Sequence, residues 1–104
     1  MKILDGIFLA VMTLTLAPSL SCAGDPVRGK AAAAMCAGCH GITGIAKAPN
    51  YPNLAGQNEA YLVKAIRDYR AKLRNDPVMG AMVAAMAEEN IEHIAAYYSS
   101  LPEK

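Results

Sequence analysis

Three shortages bound what this chain can be. Cysteine is scarce, with only Cys22, Cys36 and Cys39 among 104 residues. Long apolar runs are missing: the stretch from Ile7 to Leu16 is well short of the roughly 20 residues that cross a bilayer, so no stable membrane insertion is expected. Excess charge is missing too. Ten Lys and Arg face nine Asp and Glu, and aromatics make up 6% of the chain, which excludes the basic, aromatic-interleaved surface of a nucleic-acid binder. No internal repeat and no period-two alternation is visible, so the chain reads as one domain of helices and loops. A core this small is marginal without a staple.

The N-terminus reads as an address. Lys2 precedes the Ile7–Leu16 stretch, Pro18 breaks it, and Ser21-Cys22-Ala23 supplies small residues for cleavage. The expected organisation is a cleaved secretory signal peptide at 1–23 and a single domain at 24–104. Two alternatives are a retained helix and a lipidated N-terminus at Cys22, although Ser19 stands where a lipidation signal wants Leu. Once the signal leaves, only Cys36 and Cys39 remain. No structural disulfide is then expected, despite an oxidising compartment.

Those two cysteines lie in the run Cys36-Ala37-Gly38-Cys39-His40. Cys-x-x-Cys-His is the attachment signature of a c-type haem. Residues three and four apart on a helix share a face, so all three side chains can address one flat macrocycle. Each thiol adds across a vinyl group to form a thioether, and His40 presents an imidazole nitrogen to the iron. A thioredoxin-like pair would want a preceding strand and a βαβ pattern. A structural zinc site would want four ligands, and only the distant His93 could supply a fourth.

Around the motif, Asp25-Pro26 predicts a capped helix start, with an alanine-rich helix over 27–35 interrupted by Gly29. Residues 41–56 carry Gly41, Gly44, Pro49, Pro52 and Gly56 and read as an irregular loop. Asn58 can cap a second helix whose apolar positions are Tyr61, Leu62, Ala65, Ile66, Tyr69 and Leu73. Asn75-Asp76-Pro77 ends or interrupts it. A short helix is expected over about 79–87, and a last one over 88–100 with Ile91, Ile94, Ala95, Tyr98 and Leu101 inward, stopped by Pro102. That stripe points His93 to solvent.

Taken together, Gly29, Cys36-Ala37-Gly38-Cys39-His40-Gly41, Pro52-Asn53-Leu54-Ala55-Gly56-Gln57, a methionine after Arg74-Asn75-Asp76-Pro77, and Ile94-Ala95-Ala96-Tyr97-Tyr98 resemble the class I c-type cytochromes, in particular the short bacterial monohaem type. The resemblance implies an all-α cytochrome c fold, with four or so short helices wrapped around one covalent haem c. It implies that the first and last helices cross at Gly29, against Tyr97 or Ile94. His40 becomes the proximal iron ligand, with the Pro52 carbonyl accepting its other ring N–H. A methionine sulfur closes the sixth position. Counting back from Tyr97 in the family's pattern reaches Met79, with Met82 the second choice; Met82 and Met86 also repeat as core methionines do. Ala87 stands where the family usually caps its last helix with Ser or Thr.

The function that follows is single-electron transport in the periplasm by an exported protein that is not an enzyme. Its expected partners are redox proteins, such as a membrane-bound reductase or a terminal oxidase, docked transiently. Lys47, Lys64, Arg67, Arg70, Lys72 and Arg74 are candidates to steer an acidic partner. The alternatives are a cytochrome subunit of a larger periplasmic dehydrogenase and a ligand-binding or peroxidatic haem protein. The last lacks a distal His or Arg–His pair in the sequence.

Overall fold

The computed structural model describes residues 6, 9–14 and 24–103. The expected cleavage site Ser21-Cys22-Ala23, and Cys22 with it, lies outside the described residues. Residues 9–14 form no helix, and Leu9, Val11, Met12 and Leu14 stand exposed. No helix among the described residues is long and apolar enough to cross a membrane.

Five helices and no strand make up the described chain: α1 Pro26–Ala32, α2 Ala34–His40, α3 Glu59–Arg70, α4 Pro77–Val83 and α5 Glu88–Ser100. The Asp25 carboxylate accepts the Val27 N–H and caps α1, while Asn58 accepts the Tyr61 N–H at 3.0 Å and caps α3. The expected first helix is broken in two. A turn at the buried Ala33 separates α1 from α2, and α2 carries the whole Cys-x-x-Cys-His run before Gly41, at φ 82°, ends it.

The second helix also ends earlier than Asn75-Asp76-Pro77 suggested. Lys72 takes the left-handed conformation (φ 61°), the Lys72 N–H donates to the Tyr69 carbonyl, and the Leu73 N–H donates to Asp68. This is a Schellman close, and it leaves Leu73 exposed rather than on the apolar face. The short helix starts at Pro77, two positions earlier than expected, because Asp76 accepts the Val78 and Met79 N–H groups at 2.9 and 3.0 Å. Ala87 gives α5 no side-chain cap; Glu88 and Glu89 in its first turn favour the dipole instead.

Helix α5 is the centre of the molecule. Its Ile91, Ile94, Ala95 and Tyr98 are buried, and Ile94, Ala95 and Tyr98 pack with Ala33 and Leu62. Helix α1 crosses α5 at Gly29, where a Cβ would fall on the His93 carbonyl oxygen and against Tyr97 Cβ. The contact continues to Gly24, where a Cβ would meet the Glu92 carbonyl. His93 is therefore not a solvated surface residue. It is half-buried, and its Nδ1 accepts the Asp25 N–H at 2.8 Å. The inward stripe of α5 is the one its spacing predicts; what the periodicity omits is that the chain before α1 runs over the same helix.

Helix α3 is clipped to α5 by charge. Arg67 and Arg70 both pair with Glu88, Arg67 also reaches Glu92 at 3.5 Å, and Arg70 donates to the Met86 carbonyl at 3.1 Å. Lys64 pairs with Asp68, and the Arg74 guanidinium lies 4.4 Å over the Tyr69 ring. Four of the six cations expected to steer a partner are thus engaged within the fold.

Candidate haem site

Helices α2, α3, α4 and α5 and the 50–57 segment enclose a cavity of about 480 Å³ with a mainly apolar lining. Helix α2 contributes Cys36, Cys39 and His40 to one wall, and α4 contributes Met79 and Met82. The local sequence explains the first three, since their spacing of three and one places them on one face of a helix. They do not converge on a point: no three His, Cys, Asp or Glu side chains among the described residues group as a metal site. Nor are the two cysteines joined in a disulfide.

His40 is 6% exposed at the C-terminal end of α2. Its Nδ1 lies 2.9 Å from the Pro52 carbonyl, to which the ring N–H donates. That bond fixes the tautomer and leaves Nε2 with its lone pair. The Pro52 carbonyl is itself held by a tied loop. Asn53 accepts the Ala46 N–H at 2.8 Å, the Gly44 carbonyl accepts the N–H groups of Leu54 and Ala55, and the Gly56 N–H donates to the Tyr98 carbonyl. Gly41 and Gly44 both have positive φ, and a Cβ on Gly41 would fall on the Ile45 carbonyl. Tyr97 adds a tie from α5, its hydroxyl donating to Ile42 O at 2.9 Å.

The spacing assigns Tyr97 first of all to packing and points to neither Asn53 nor the Gly44 carbonyl as a tie. An Asn beside the proline was the available signal, since Asn side chains often bond nearby backbone.

The three methionines differ. Met79 is half-buried on the cavity, Met82 is 38% exposed on it, and Met86 packs against the core cluster as a filler. Asp76 fixes the backbone of Met79 directly. Tyr98, which the stripe of α5 places first of all in the core, also reaches the site. It is 1% exposed, lines the cavity, and its hydroxyl has no hydrogen-bond partner. A buried hydroxyl left this way costs about 1–3 kcal/mol. It stands beside the Cys36 thiol without a formed bond to it. Burial pushes that thiol up, the neighbouring Tyr98 hydroxyl pulls it back, and Cys39 raises it further. Burial likewise pushes the Tyr98 phenol up, with Cys36 and Tyr97 adding to the rise.

Comparison with known proteins accounts for this arrangement. Residues 26–102 match the sequence profile of cytochrome c. A cytochrome c4 of Pseudomonas aeruginosa is 39% identical over 90 residues, covering 86% of this chain and 45% of that protein. Cytochrome c-554(548) of Halomonas halodenitrificans is 44% identical over 81 residues, covering 75% of this chain and 98% of that protein. Among solved structures, reduced recombinant cytochrome c4 from Pseudomonas stutzeri superposes with a TM-score of 0.73 at 38% identity, covering 77% of this chain and 47% of that one. The chain spans about half the length of the cytochrome c4 relatives it matches.

The chain belongs to the cytochrome c family, whose cofactor is a covalently bound haem c. The residues present fit that group. Two thiols and an imidazole share one wall of an apolar cavity, and its volume lies within the range of about 300–1,000 Å³ typical of small-molecule sites. A buried hydroxyl beside one thiol still lacks a partner.

Proposed function

We propose that this protein carries single electrons in the periplasm through one haem c, joined by thioethers to Cys36 and Cys39 and ligated by His40 and Met79. Bound there, the group supplies a one-electron Fe(II)/Fe(III) couple. The observation that carries the reading is the His40–Pro52 bond at 2.9 Å, which keeps Nε2 free as a ligand on the wall that also bears both thiols.

The chain's own residues do the rest. The 41–56 loop holds the Pro52 carbonyl still, so the imidazole cannot rotate or change tautomer. Asp76 pins the first turn of α4 and with it the Met79 backbone. Met79 is preferred to Met82 because it is the less exposed of the two and sits in that pinned turn. Leu62, Ala65, Ile94 and Ala95 line the cavity with apolar surface and exclude water. Low polarity penalises the extra ferric charge, and a soft thioether ligand favours Fe(II); both raise the potential.

With His40 and Met79 both holding the iron, no open position would be left there for a substrate, which favours a carrier over an enzyme. Residues 1–23 are read as a removable export signal, supported by the unpacked, exposed 9–14 segment. Lys47 and Lys72, without an ion pair among the described residues, remain to steer a transiently docked redox partner.

The test is the exported protein itself. Its mass should exceed that of the polypeptide by one porphyrin, and the reduced form should bind no carbon monoxide. Carbon monoxide binding would favour the ligand-binding alternative. Purification in stable association with a flavin or molybdenum enzyme would make the chain a dehydrogenase subunit.

A further inference from the structure

Tyr98 has a task that neither packing nor axial ligation explains. Among the described residues, its hydroxyl is the buried side-chain polar atom left without a hydrogen-bond partner. The ring has little freedom to look for one elsewhere. It is among the largest fully buried side chains, lies 5.1 Å from the Tyr97 ring, and sits in α5 where the Tyr98 carbonyl is tied to Gly56. Cys36 packs against the same cluster, shares the cavity wall, and lies near enough for the hydroxyl to act on its thiol.

The chemistry of Cys36 decides who donates. A free thiol can both give and accept a weak hydrogen bond. Addition of its S–H across a vinyl double bond places the hydrogen on one vinyl carbon and the sulfur on the other, with no net oxidation. The sulfur that remains has lone pairs and no proton, so it can only accept. The phenol beside it can only donate if the two are to pair.

We propose that the Tyr98 hydroxyl donates a hydrogen bond to the thioether sulfur of Cys36, making Tyr98 a positioning residue that fixes one attachment point and raises the reduction potential. The inference rests on the haem reading above. It gives the orphan hydroxyl its partner, and it aims the positive end of the O–H dipole at the edge of the macrocycle. A positive dipole there disfavours the ferric charge, and hydrogen bonds to ligating or neighbouring sulfur act on potential in that direction.

The experiment compares wild type, Tyr98→Phe, Cys36→Ala and the double variant, each purified as the exported protein. Tyr98→Phe should keep the porphyrin mass and the far-red absorption of methionine-ligated ferric haem, yet show a lower midpoint potential than wild type. That drop should vanish when Tyr98→Phe is made in the Cys36→Ala background, because the acceptor is gone. The carbon–sulfur Raman band of wild type should shift when exchangeable hydrogens are replaced by deuterium, and that of Tyr98→Phe should not. An unchanged potential with no deuterium-sensitive band would overturn the proposal. So would a drop of equal size in both backgrounds, which would place the hydroxyl's partner elsewhere. If Tyr98→Phe does not fold, the deuterium response of the wild-type band decides alone. Wild-type protein without added porphyrin mass would instead refute the haem reading, and that is seen before any potential is measured.

Discussion

The backbone N–H of Asp25 donates to Nδ1 of His93 at 2.8 Å, joining the start of α1 to the middle of α5 across 68 positions of sequence. The same Asp25 caps α1 with its carboxylate, so one residue sets both the helix start and its seat on α5. His93→Ala removes the acceptor and should lower stability by about 0.5–1.5 kcal/mol. The check is a fall in the urea midpoint with an unchanged slope.

The crossing itself depends on Gly29. Alanine there is the better helix former by about 1 kcal/mol. Its Cβ would nevertheless land on the His93 carbonyl, which as backbone cannot yield cheaply. Gly29→Ala should therefore destabilise, by about 1–3 kcal/mol for an overpacked contact. Thermal unfolding of the two proteins side by side gives the sign.

What was legible beforehand follows from the range of the interactions. The Cys-x-x-Cys-His face, the Asp25 and Asn58 caps and the inward stripe of α5 are all decided within one or two helical turns, and the spacing states them. The Gly29 crossing came from resemblance, since a lone glycine does not say what crosses it. The turn at Ala33 escaped because alanine favours helix on both sides and only its burial against α5 marks the break. Arg67 and Arg70 looked free because their partner, Glu88, lies 21 and 18 positions away. The bond at His93 and the cavity position of Tyr98 lie out of reach for the same reason: periodicity reports a face, not what a distant segment lays against it.

Lys72 offers a gain rather than a loss. It holds the left-handed position of the Schellman close after α3, where a Cβ costs about 1–2 kcal/mol in the corresponding helical conformation. Lys72→Gly should be neutral to stabilising, read as a raised Tm. A loss of stability would mean that the lysine side chain makes a compensating contact.

Glu88 supplies the acid dependence. The Arg70 guanidinium, with a smaller contribution from Arg67, holds its carboxyl below the usual carboxylate range. A carboxyl depressed in the folded state adds stability above its unfolded value and loses it as pH falls through the folded one. The stability difference between wild type and Glu88→Gln should therefore be largest near neutral pH and shrink as the solution is acidified below about pH 4. Urea midpoints across that range test it. A difference that stays constant with pH would show that the ion pair carries no linkage.

The most direct test of the whole account is the weak far-red absorption of the oxidised protein, which reports sulfur bound to ferric haem. It should be present in wild type, survive Met82→Ala, and disappear in Met79→Ala. Its loss in Met82→Ala with retention in Met79→Ala would contradict the assignment of the ligand, and its absence from wild type would contradict the two-sided grip on which the carrier function rests.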